Sequence, residues 1–381
     1  MKAMILAAGK GTRVAPFTLD APKPLLKVLG EPVIDRILGF LKRNHVEDVV
    51  LNTSYLGDKL QSYLGDGSRY NMSFTFSYEG VKSNGQMISK PLGSAGGLSE
   101  VQQRYGCFDS TFMVICGDAI IDFDLDYALA FHKSRKSLAT VLTKEVPWNK
   151  VSAYGVVDQT ESGQILRFQE KPNQDEAVSN KVSTGIYLFE PEIFDYIPEH
   201  GEYDIGGELL PLLARMGEPL HGCETPMQWI DIGTVSDLWN ANQSALNQDI
   251  LHFPMKGTEV APGVFAGTNV NANWDTISVK GPVYIGSGTT IEDGVTIEGP
   301  VLISENTHVE SETTLRKCVI DPYTQIERGT EINQEWINPE FSIDLSEKSC
   351  VSTETDSTRA SDIREARTMS NVSVLPQRAK G

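Results

Sequence analysis

The chain has 381 residues and a formal net charge of −18, and its residues are 40% hydrophobic and 22% charged. This balance is typical of a globular protein with a sizeable core, and the length predicts two compact domains plus a tail. No run approaches the roughly 18 apolar residues of a bilayer span, and the acidic balance argues against nonspecific nucleic-acid binding.

The cysteines and the first residues bear on where the protein works. Five cysteines, an odd number without CxxC spacing, argue against a disulfide framework or a zinc site. The opening MKAMILAAGKG has too short an apolar run for a signal peptide and passes directly into a glycine turn. We therefore expect a cytoplasmic protein with neither membrane nor nucleic-acid partners.

Residues 1–248 alternate short apolar runs with helical patterns. MKAMILAA, DVVLNTSY, TFMVICGD and SLATVLTK are typical of buried strands, and PVIDRILGFLKRNH has the spacing of an amphipathic helix. The alternation predicts an α/β domain with a Rossmann-like, mostly parallel sheet. Such sheets bind ligands at the carboxyl ends of their strands, where LAAGKGTR and ICGD both fall.

The stretch LAAGKGTR, residues 6–13, has the glycine spacing of a phosphate-binding turn. It is not a P-loop, because Lys10 is followed by Gly11 and not by Ser or Thr. It is not a full dinucleotide fingerprint either, because Val14 stands where the third glycine would be. What remains is a strand, a tight turn whose backbone N–H groups can face phosphate oxygens, and Arg13, which can contact phosphate through two N–H groups.

Further motifs accompany this turn along the same domain. Lys23 lies between two prolines, PLGSAGG at 91–97 forms a second loop of small residues, and Asp118 and Asp231 each follow an apolar strand. Two carboxylates at strand ends can share one Mg²⁺, which takes few protein ligands. FQEKP adds Glu170 and Lys171, and STGIY adds Thr184 and Gly185.

From about residue 249 the pattern changes to a period of six. The repeat predicts a C-terminal left-handed parallel β-helix over 249–335, with a one-residue slip after Leu315. Residues 336–381, poor in large apolar groups, are expected to be a disordered tail. The β-helix is also expected to assemble the protein into a homo-oligomer. The repeated aliphatic positions are Val279, Ile285, Ile291, Ile297, Ile303, Val309 and Leu315.

The ordered set GxGTR, PKP, PLGxAG, GD, YGVV, EKP, TGIY and DIGT resembles the sugar-1-phosphate nucleotidyltransferases, also called nucleoside-diphosphate-sugar pyrophosphorylases. The resemblance covers residues 1 to about 245 and extends to the hexapeptide domain that many members carry. AYGVVDQTESGQILRFQEKP and VSNKVSTGIYLF look most like mannose-1-phosphate guanylyltransferases. The resemblance therefore implies GTP and mannose 1-phosphate as substrates.

The resemblance also implies the chemistry. A sugar-1-phosphate oxygen attacks the α-phosphorus of a nucleoside triphosphate and releases pyrophosphate, with no covalent enzyme intermediate. Arg13 and Lys23 would clamp the triphosphate, Asp118 and Asp231 would hold Mg²⁺, and Lys171 would bind the sugar's phosphate. The residues implied to line the nucleotide are Leu6, Ala8, Gly9, Gly11, Thr12 and Gly93; those implied at the sugar are Gly155, Glu170, Lys171, Thr184 and Gly185.

Other interpretations stay open. Ala8 is shared with members that use UTP or dTTP, so the alternative is a glucose-1-phosphate uridylyl- or thymidylyltransferase, or another nucleoside-diphosphate-sugar pyrophosphorylase. A hexapeptide acyltransferase would need a histidine base, and His308 lies inside the repeat. A non-catalytic regulatory paralogue is disfavoured because Arg13, Lys23, Asp118, Lys171 and Asp231 are all present.

Overall fold

A computed structural model describes residues 1–83, 86–346 and 352–364. The chain divides into two compact units. The first contains Met1–Leu26 and Pro32–Gly233, and the second contains Lys27–Glu31 and the chain from Thr234 onward. Among the described residues, no helix is both long and apolar enough to cross a membrane.

Up to Gly233 the described chain forms strands and helices in alternation. The strands are β1 (Lys2–Ala7), β2 (Lys27–Val28), β3 (Glu31–Pro32), β4 (Asp48–Thr53), β5 (Ser73–Tyr78), β6 (Gly80–Ser83), β7 (Gln86–Ser89), β8 (Phe112–Cys116), β9 (Ala119–Phe123), β10 (Ala139–Glu145), β11 (Gly155–Gln159), β12 (Ile165–Glu170), β13 (Lys181–Phe189), β14 (Leu220–Glu224) and β15 (Met227–Asp231). The α-helices are α1 (Phe17–Asp20), α2 (Val33–Arg43), α3 (Gly57–Leu64), α4 (Gly93–Tyr105), α5 (Leu125–Ser134) and α6 (Leu210–Met216).

The central sheet of the first unit has the path β12-β11-β13-β8-β1-β4-β5, and β10 and β14 join it through β13. β8, β1, β4 and β5 are parallel neighbours, and antiparallel strands extend the sheet beyond β8. The carboxyl ends of β1 and β8 therefore meet at one edge, with LAAGKGTR following the first and CGD following the second. The predicted α/β fold is confirmed.

Packing of this unit follows the apolar periodicity of the sequence. α2 buries one face, including Ile34, Ile37 and Leu41, while Lys42 and Arg43 lie in its last turn. The main core includes Met4 of β1, Val114 of β8 and Leu98 of α4, each 0% exposed. The strands that carry the predicted site are thus held from within by close packing.

From Thr234 onward the described chain forms one helix and many short strands. They are α7 (Val235–Leu246), β16 (Thr258–Ala261), β17 (Val264–Ala266), β18 (Asn271–Ala272), β19 (Ser278–Lys280), β20 (Val283–Ile285), β21 (Thr290–Ile291), β22 (Thr296–Glu298), β23 (Val301–Ile303), β24 (His308–Val309), β25 (Thr314–Arg316), β26 (Val319–Ile320), β27 (Thr324–Ile326), β28 (Glu331–Asn333), β29 (Glu335–Ile337), β30 (Phe341–Asp344), β31 (Ser352–Glu354) and β32 (Ala360–Asp362).

These strands stack into three sheets, which confirms the predicted β-helix architecture. Ile285 pairs with Ile303, one coil of 18 positions later, and Ile303 pairs with Ile320, only 17 positions later. Ile297 and Leu315 occupy a parallel column on another sheet, and both are 0% exposed. The one-residue slip after Leu315 is therefore absorbed by one shorter coil, and stacking continues to Ile332.

The second unit begins earlier than the predicted boundary at 248/249, because α7 belongs to it. On one β-helix sheet, four apolar residues of an outward register column are each at most 5% exposed: Tyr284, Leu302, Val319 and Trp336. α7 contacts β23, the strand that carries Leu302. The six-residue pattern could not indicate this helix, because α7 packs outside the coils and does not share their period.

The predicted tail is structured over part of its length. β29, β30, β31 and β32 all reach into residues 336–364. β30 pairs antiparallel with β29, and β32 pairs antiparallel with β27. These strands pair with the edges of the sheets at the last coil. Their backbone hydrogen bonds order the segment although it has few large apolar side chains. Residues 347–351 and 365–381 of the predicted tail lie outside the described residues.

Cys107, Cys116, Cys223 and Cys318, the cysteines among the described residues, are free thiols. The fifth cysteine, Cys350, lies outside the described residues.

Candidate active site

A cavity of about 490 Å³ opens at the carboxyl ends of β1 and β8. It brings together nine residues that the sequence predicts for nucleotide, phosphate or metal binding. They are Leu6, Ala8, Gly9, Gly11, Thr12, Arg13, Lys23, Gly93 and Asp118. The cavity also contains residues outside that prediction: Ala7, Lys10, Pro24, Asn52, Glu79, Pro91, Ser94, Cys116 and Gly117.

The glycine turn after β1 has a shape that a side chain at residue 11 would prevent. Gly11 has a φ of +66°, and a Cβ there would lie 2.7 Å from Cγ of Lys23. Thr18 fixes the turn by donating its hydroxyl to the Gly11 carbonyl at 2.9 Å. Around Gly9, by contrast, a Cβ would meet nothing within 4 Å. The turn is therefore closely packed at Gly11 and open at Gly9, where a ligand can approach the backbone.

Three cationic side chains border the cavity. Lys10 and Arg13 are exposed, and neither forms an ion pair with any residue that the structure describes. Lys23 is more enclosed, with 14% of its side chain exposed, and its Nζ lies 2.7 Å from Oδ2 of Asp118. Two free cations and one paired cation thus face the same space, an arrangement suited to a polyanionic ligand.

The second glycine-rich loop forms the start of α4. Gly93 has a φ of +74°, and a Cβ there would lie 2.5 Å from the Tyr203 carbonyl oxygen. The same carbonyl accepts the N–H groups of Ala95 and Gly96, both at 2.9 Å. Ser94 donates to Oδ2 of Asp204 at 2.8 Å and accepts the Ile205 N–H at 2.7 Å. The segment of residues 203–205 thus fixes the loop through hydrogen bonds, and the side of the loop that faces the cavity stays available to a ligand.

Asn52 and Glu79 line the cavity but are not among the residues predicted from the sequence. Asn52 is the polar residue near the end of the apolar strand β4, and Glu79 follows β5. They are 2% and 1% exposed, and Nδ2 of Asn52 donates to Oε1 of Glu79 at 2.5 Å. Burial raises the pKa of the Glu79 carboxyl, and hydrogen bonds from the Leu92 N–H and from Asn52 partly offset it. A polar residue within an apolar strand was the available signal for Asn52.

The two predicted metal-binding carboxylates lie on neighbouring backbone segments. Asp231 ends β15 opposite Ala119 of β9, and the Ile232 N–H donates to the Asp118 carbonyl at 3.0 Å. Only Asp118 of the two lines the cavity. Carboxylate oxygens suit Mg²⁺, which keeps several ligands from water and phosphate, so this donor set fits that ion. Among the described residues, no group of three or more His, Cys, Asp or Glu side chains is placed to hold a metal ion.

Cys116 lies at the end of β8, close to both carboxylates. Burial, and after it the charges of Asp118 and Asp231, raise the pKa of its thiol well above the usual range. Gly185 packs directly against it: its φ is +72°, and a Cβ there would lie 2.6 Å from Sγ. The thiol therefore stays neutral, and a glycine is required on the strand beside it.

The residues predicted to bind the sugar lie outside the cavity lining. Gly155 and Glu170 are register partners in β11 and β12, and a Cβ on Gly155 would lie 3.1 Å from Oε2 of Glu170. The same carboxylate oxygen would lie 2.6 Å from a Cβ on Gly206. Nζ of Lys171 pairs with Oε1 of Glu170 at 2.8 Å, and its side chain is 55% exposed.

Gly206 connects these residues to the cavity, because it follows Ile205, whose N–H is bound by the cavity residue Ser94.

The resemblance implies Thr184 at the sugar, but in the structure this side chain is buried and hydrogen-bonded to the backbone. Its hydroxyl donates to the Leu142 carbonyl at 2.8 Å, and the residue is 3% exposed. Thr184 is thereby committed to holding β13 against β10.

A model of the nucleotidyl transferase family matches residues 2–248. The chain belongs to the nucleotidyl transferase family. Among related proteins, the UTP–glucose-1-phosphate uridylyltransferase of Synechocystis sp. is 44% identical over 344 residues, covering 90% of this chain and 89% of that protein. The mannose-1-phosphate guanyltransferase beta-A of Xenopus laevis is 35% identical over 239 residues, or 62% of each chain.

Solved structures of the family agree in fold. A Bacillus anthracis protein assigned as a glucose-1-phosphate thymidylyltransferase, crystallised with sucrose, is 30% identical with a TM-score of 0.55. The match covers 66% of this chain and 96% of that one. The resemblance to sugar-1-phosphate nucleotidyltransferases inferred from the motifs is confirmed, and the protein is a nucleotidyltransferase of this class.

Proposed function

We propose that this nucleotidyltransferase transfers a uridylyl group from UTP to glucose 1-phosphate, giving UDP-glucose and pyrophosphate. The similarity to the Synechocystis uridylyltransferase carries the proposal, because it spans 90% of the chain and so includes most of the β-helix unit as well as the family domain. The sequence alone favoured GTP and mannose 1-phosphate, with UTP and glucose 1-phosphate among the alternatives. That first preference stays a prediction.

GTP with mannose 1-phosphate is the second candidate. It is supported by the Xenopus guanyltransferase, 35% identical over 239 residues, and by the stretches from AYGVV to EKP and around STGIY. Both the identity and the length of that match are lower than those of the match to the uridylyltransferase, which is 44% identical over 344 residues. For this reason we rank it second.

Several features of the cavity support its proposed role as the site of the nucleotide's triphosphate. Arg13 and Lys10 present unpaired charge at its rim, and the open turn at Gly9 lets phosphate oxygens reach backbone N–H groups. Lys23 would exchange its ion pair with Asp118 for the triphosphate when the nucleotide arrives. The loop at Gly93 would face the nucleoside.

The reaction then needs positioning and charge neutralisation. An oxygen of the sugar 1-phosphate forms a new bond to the α-phosphorus, the bond from that phosphorus to the bridging oxygen breaks, and pyrophosphate leaves with the electron pair. No general base is required, because the attacking phosphate is already ionised. Lys171 would hold that phosphate and Glu170 the sugar hydroxyls, since both side chains retain solvent access.

Asp118 and Asp231 would hold Mg²⁺, as their adjacent backbone positions allow. When bound, the ion supplies charge neutralisation on the phosphate oxygens. Asp118 carries a double role in this proposal, because its Oδ2 also orients Lys23 towards the cavity.

His308 gives the acyltransferase interpretation little support. Its Nε2 lies 2.9 Å from Oε1 of Glu292 on the β-helix surface, an interaction that stabilises neighbouring coils.

The β-helix is better suited to assembly, and we propose a homo-oligomer. The antiparallel strands β30 and β32 cover edges of the last coil, so contacts would use the sides of the coils. Light scattering after size-exclusion chromatography tests this, and a monomer at all concentrations would contradict it.

One panel tests the substrate proposal. Purified protein is incubated with Mg²⁺, each of five nucleoside triphosphates and a set of sugar 1-phosphates, and pyrophosphate release is measured. We expect the highest kcat/KM with UTP and glucose 1-phosphate. A higher value with GTP and mannose 1-phosphate would replace the first candidate with the second. No release with any pair would contradict the enzymatic proposal itself.

A further inference from the structure

A continuous chain of buried hydrogen bonds joins the two loops that enclose the cavity. The Ala7 N–H, at the end of β1, donates to Oδ1 of Asn52 at 2.9 Å. Nδ2 of Asn52 donates to Oε1 of Glu79 at 2.5 Å, and Oε2 of Glu79 accepts the Leu92 N–H at 2.9 Å. Ala7 leads into the glycine turn, and Leu92 immediately precedes Gly93.

The donors and acceptors of this chain admit one arrangement. A backbone N–H faces Oδ1 of Asn52, so the amide nitrogen must face the carboxylate. A backbone N–H also faces the other carboxylate oxygen, so both oxygens of Glu79 act as acceptors. Both side chains are at most 2% exposed, and a buried polar group left without its partner is costly. The bonds therefore fix the distance between the loops.

The surroundings leave these side chains no alternative position. A Cβ on Gly97 of α4 would clash with Oε1 of Glu79 and would lie 2.9 Å from Nδ2 of Asn52. Leu92 is the N-cap residue of α4, where a negative charge interacts favourably with the helix dipole. Asn52 and Glu79 both line the cavity themselves.

We propose that Asn52 and Glu79 are positioning residues. They set the distance between the glycine turn after β1 (residues 6–13) and the second glycine-rich loop (residues 91–97), and so the width of the site for the nucleoside triphosphate. The proposal rests on the proposed function, because it takes the cavity as the nucleotide site. The residues proposed for the sugar 1-phosphate lie outside the cavity lining, so we expect the two substrates to respond differently. Loss of one of these hydrogen bonds weakens binding of the nucleotide and leaves binding of the sugar phosphate nearly unchanged.

This chain of hydrogen bonds can be tested by exchanging its two side-chain types, the amide at position 52 and the carboxylate at position 79. Glu79→Gln places an amide nitrogen against a donor, and Asn52→Asp places two carboxylates against each other, so each variant loses a bond. In the double variant Asn52→Asp/Glu79→Gln, the carboxylate introduced at position 52 accepts from the Ala7 N–H and from the amide introduced at position 79. The oxygen of that amide accepts from the Leu92 N–H. Every bond is restored with the same number of atoms and the same net charge.

The measurements are KM for UTP, KM for glucose 1-phosphate, kcat and the thermal midpoint, or the corresponding values for whichever pair the wild type uses best. We expect each single variant to raise the nucleotide KM about tenfold, with the sugar-phosphate KM changed less than about twofold, and the double variant to return within about threefold of wild type. Gly97→Ala is expected to raise the nucleotide KM as well.

Glu190→Gln is the matched control. Glu190 also accepts two hydrogen bonds, from Thr111 and His132, but does not line the cavity. It should lower the thermal midpoint without changing the nucleotide KM. The proposal is overturned by a folded double variant that stays impaired, by an unchanged nucleotide KM in both single variants, or by equal changes in both KM values. An inactive wild type would instead refute the proposed function.

Discussion

Lys23 occupies a restrained position at the scale of single residues. Pro22 and Pro24 flank it, it begins a short 3₁₀ turn that ends at Leu25, and its Nζ is paired with Asp118. A lysine with a stiff backbone and an enclosed side chain loses little conformational freedom on binding an anion. Its charge therefore contributes where it is fixed, beside the triphosphate.

Lys23→Met keeps the length of the side chain and removes its charge. Because a pre-positioned charge at a transferring phosphate contributes strongly, we expect kcat/KM for the nucleotide to fall about 10²-fold to 10³-fold. Steady-state pyrophosphate assays measure this. Lys133→Met, on the exposed face of α5, is the control and should be neutral. Equal activity of the two variants would remove Lys23 from the site.

Gly185 tests the packing beside the carboxylates. Gly185→Ala brings a Cβ into contact with Sγ of Cys116 at a backbone angle that alanine disfavours. We expect loss of activity with a lowered thermal midpoint. Adding Cys116→Ala relieves the contact but not the backbone strain, so recovery should be partial. Full recovery would show that strain at this φ is unimportant.

At the scale of elements, a buried histidine connects helix α5 to strand β10 and to the residue that follows strand β13. His132 of α5 is 1% exposed, with Nδ1 2.7 Å from Oγ1 of Thr140 and Nε2 3.0 Å from Oε1 of Glu190. Burial holds the pKa of His132 below its ordinary value, although Glu190 acts in the opposite direction.

This predicts a pH-dependent stability. Because the folded pKa is lowered, the unfolded chain binds the extra proton, so His132 stabilises the fold above its ordinary pKa of about 6.5 and loses this effect as pH falls. His132→Gln should reduce the decline in unfolding free energy between about pH 7.5 and pH 5. Urea titrations at several pH values measure it. The exposed His200→Gln variant should keep the wild-type decline; an equal decline in His132→Gln would refute the assignment.

The elements also show which parts of the site a sequence can reveal. The glycine turn and Asp118 could be predicted, because strands alternate with helices and their carboxyl ends meet at one edge. Glu79 could not, since a glutamate after FTFSY looks like an exposed charge. It becomes buried only when Leu92 and α4 pack against it, and no local pattern encodes that contact.

At the scale of the whole molecule, the chain segment Lys27–Glu31 belongs to the second unit although it follows Lys23 by only a few residues. The Leu29 N–H donates to Oδ1 of Asn242 in α7 at 2.9 Å, and Asn242 is 0% exposed. The period of six predicted the coils, but this return of an early segment to a late helix has no sequence signature.

Asn242→Ala leaves the buried Leu29 N–H without its partner. We expect a loss of about 1–3 kcal/mol in the unfolding free energy, measured by denaturant titration followed by tryptophan fluorescence. Asn240→Ala on the exposed face of the same helix is the control. A loss below about 0.5 kcal/mol with Asn242→Ala would contradict the anchoring contact.

Whether the cavity at the ends of β1 and β8 binds a nucleotide for transfer to a sugar 1-phosphate can be measured by ³¹P NMR. The protein is mixed with Mg²⁺, UTP and glucose 1-phosphate, alongside an Asp118→Asn variant and an Asp126→Asn control. We expect equimolar pyrophosphate and UDP-glucose with wild type and control, and neither with Asp118→Asn. Full product formation by Asp118→Asn, or orthophosphate in place of pyrophosphate, would contradict it.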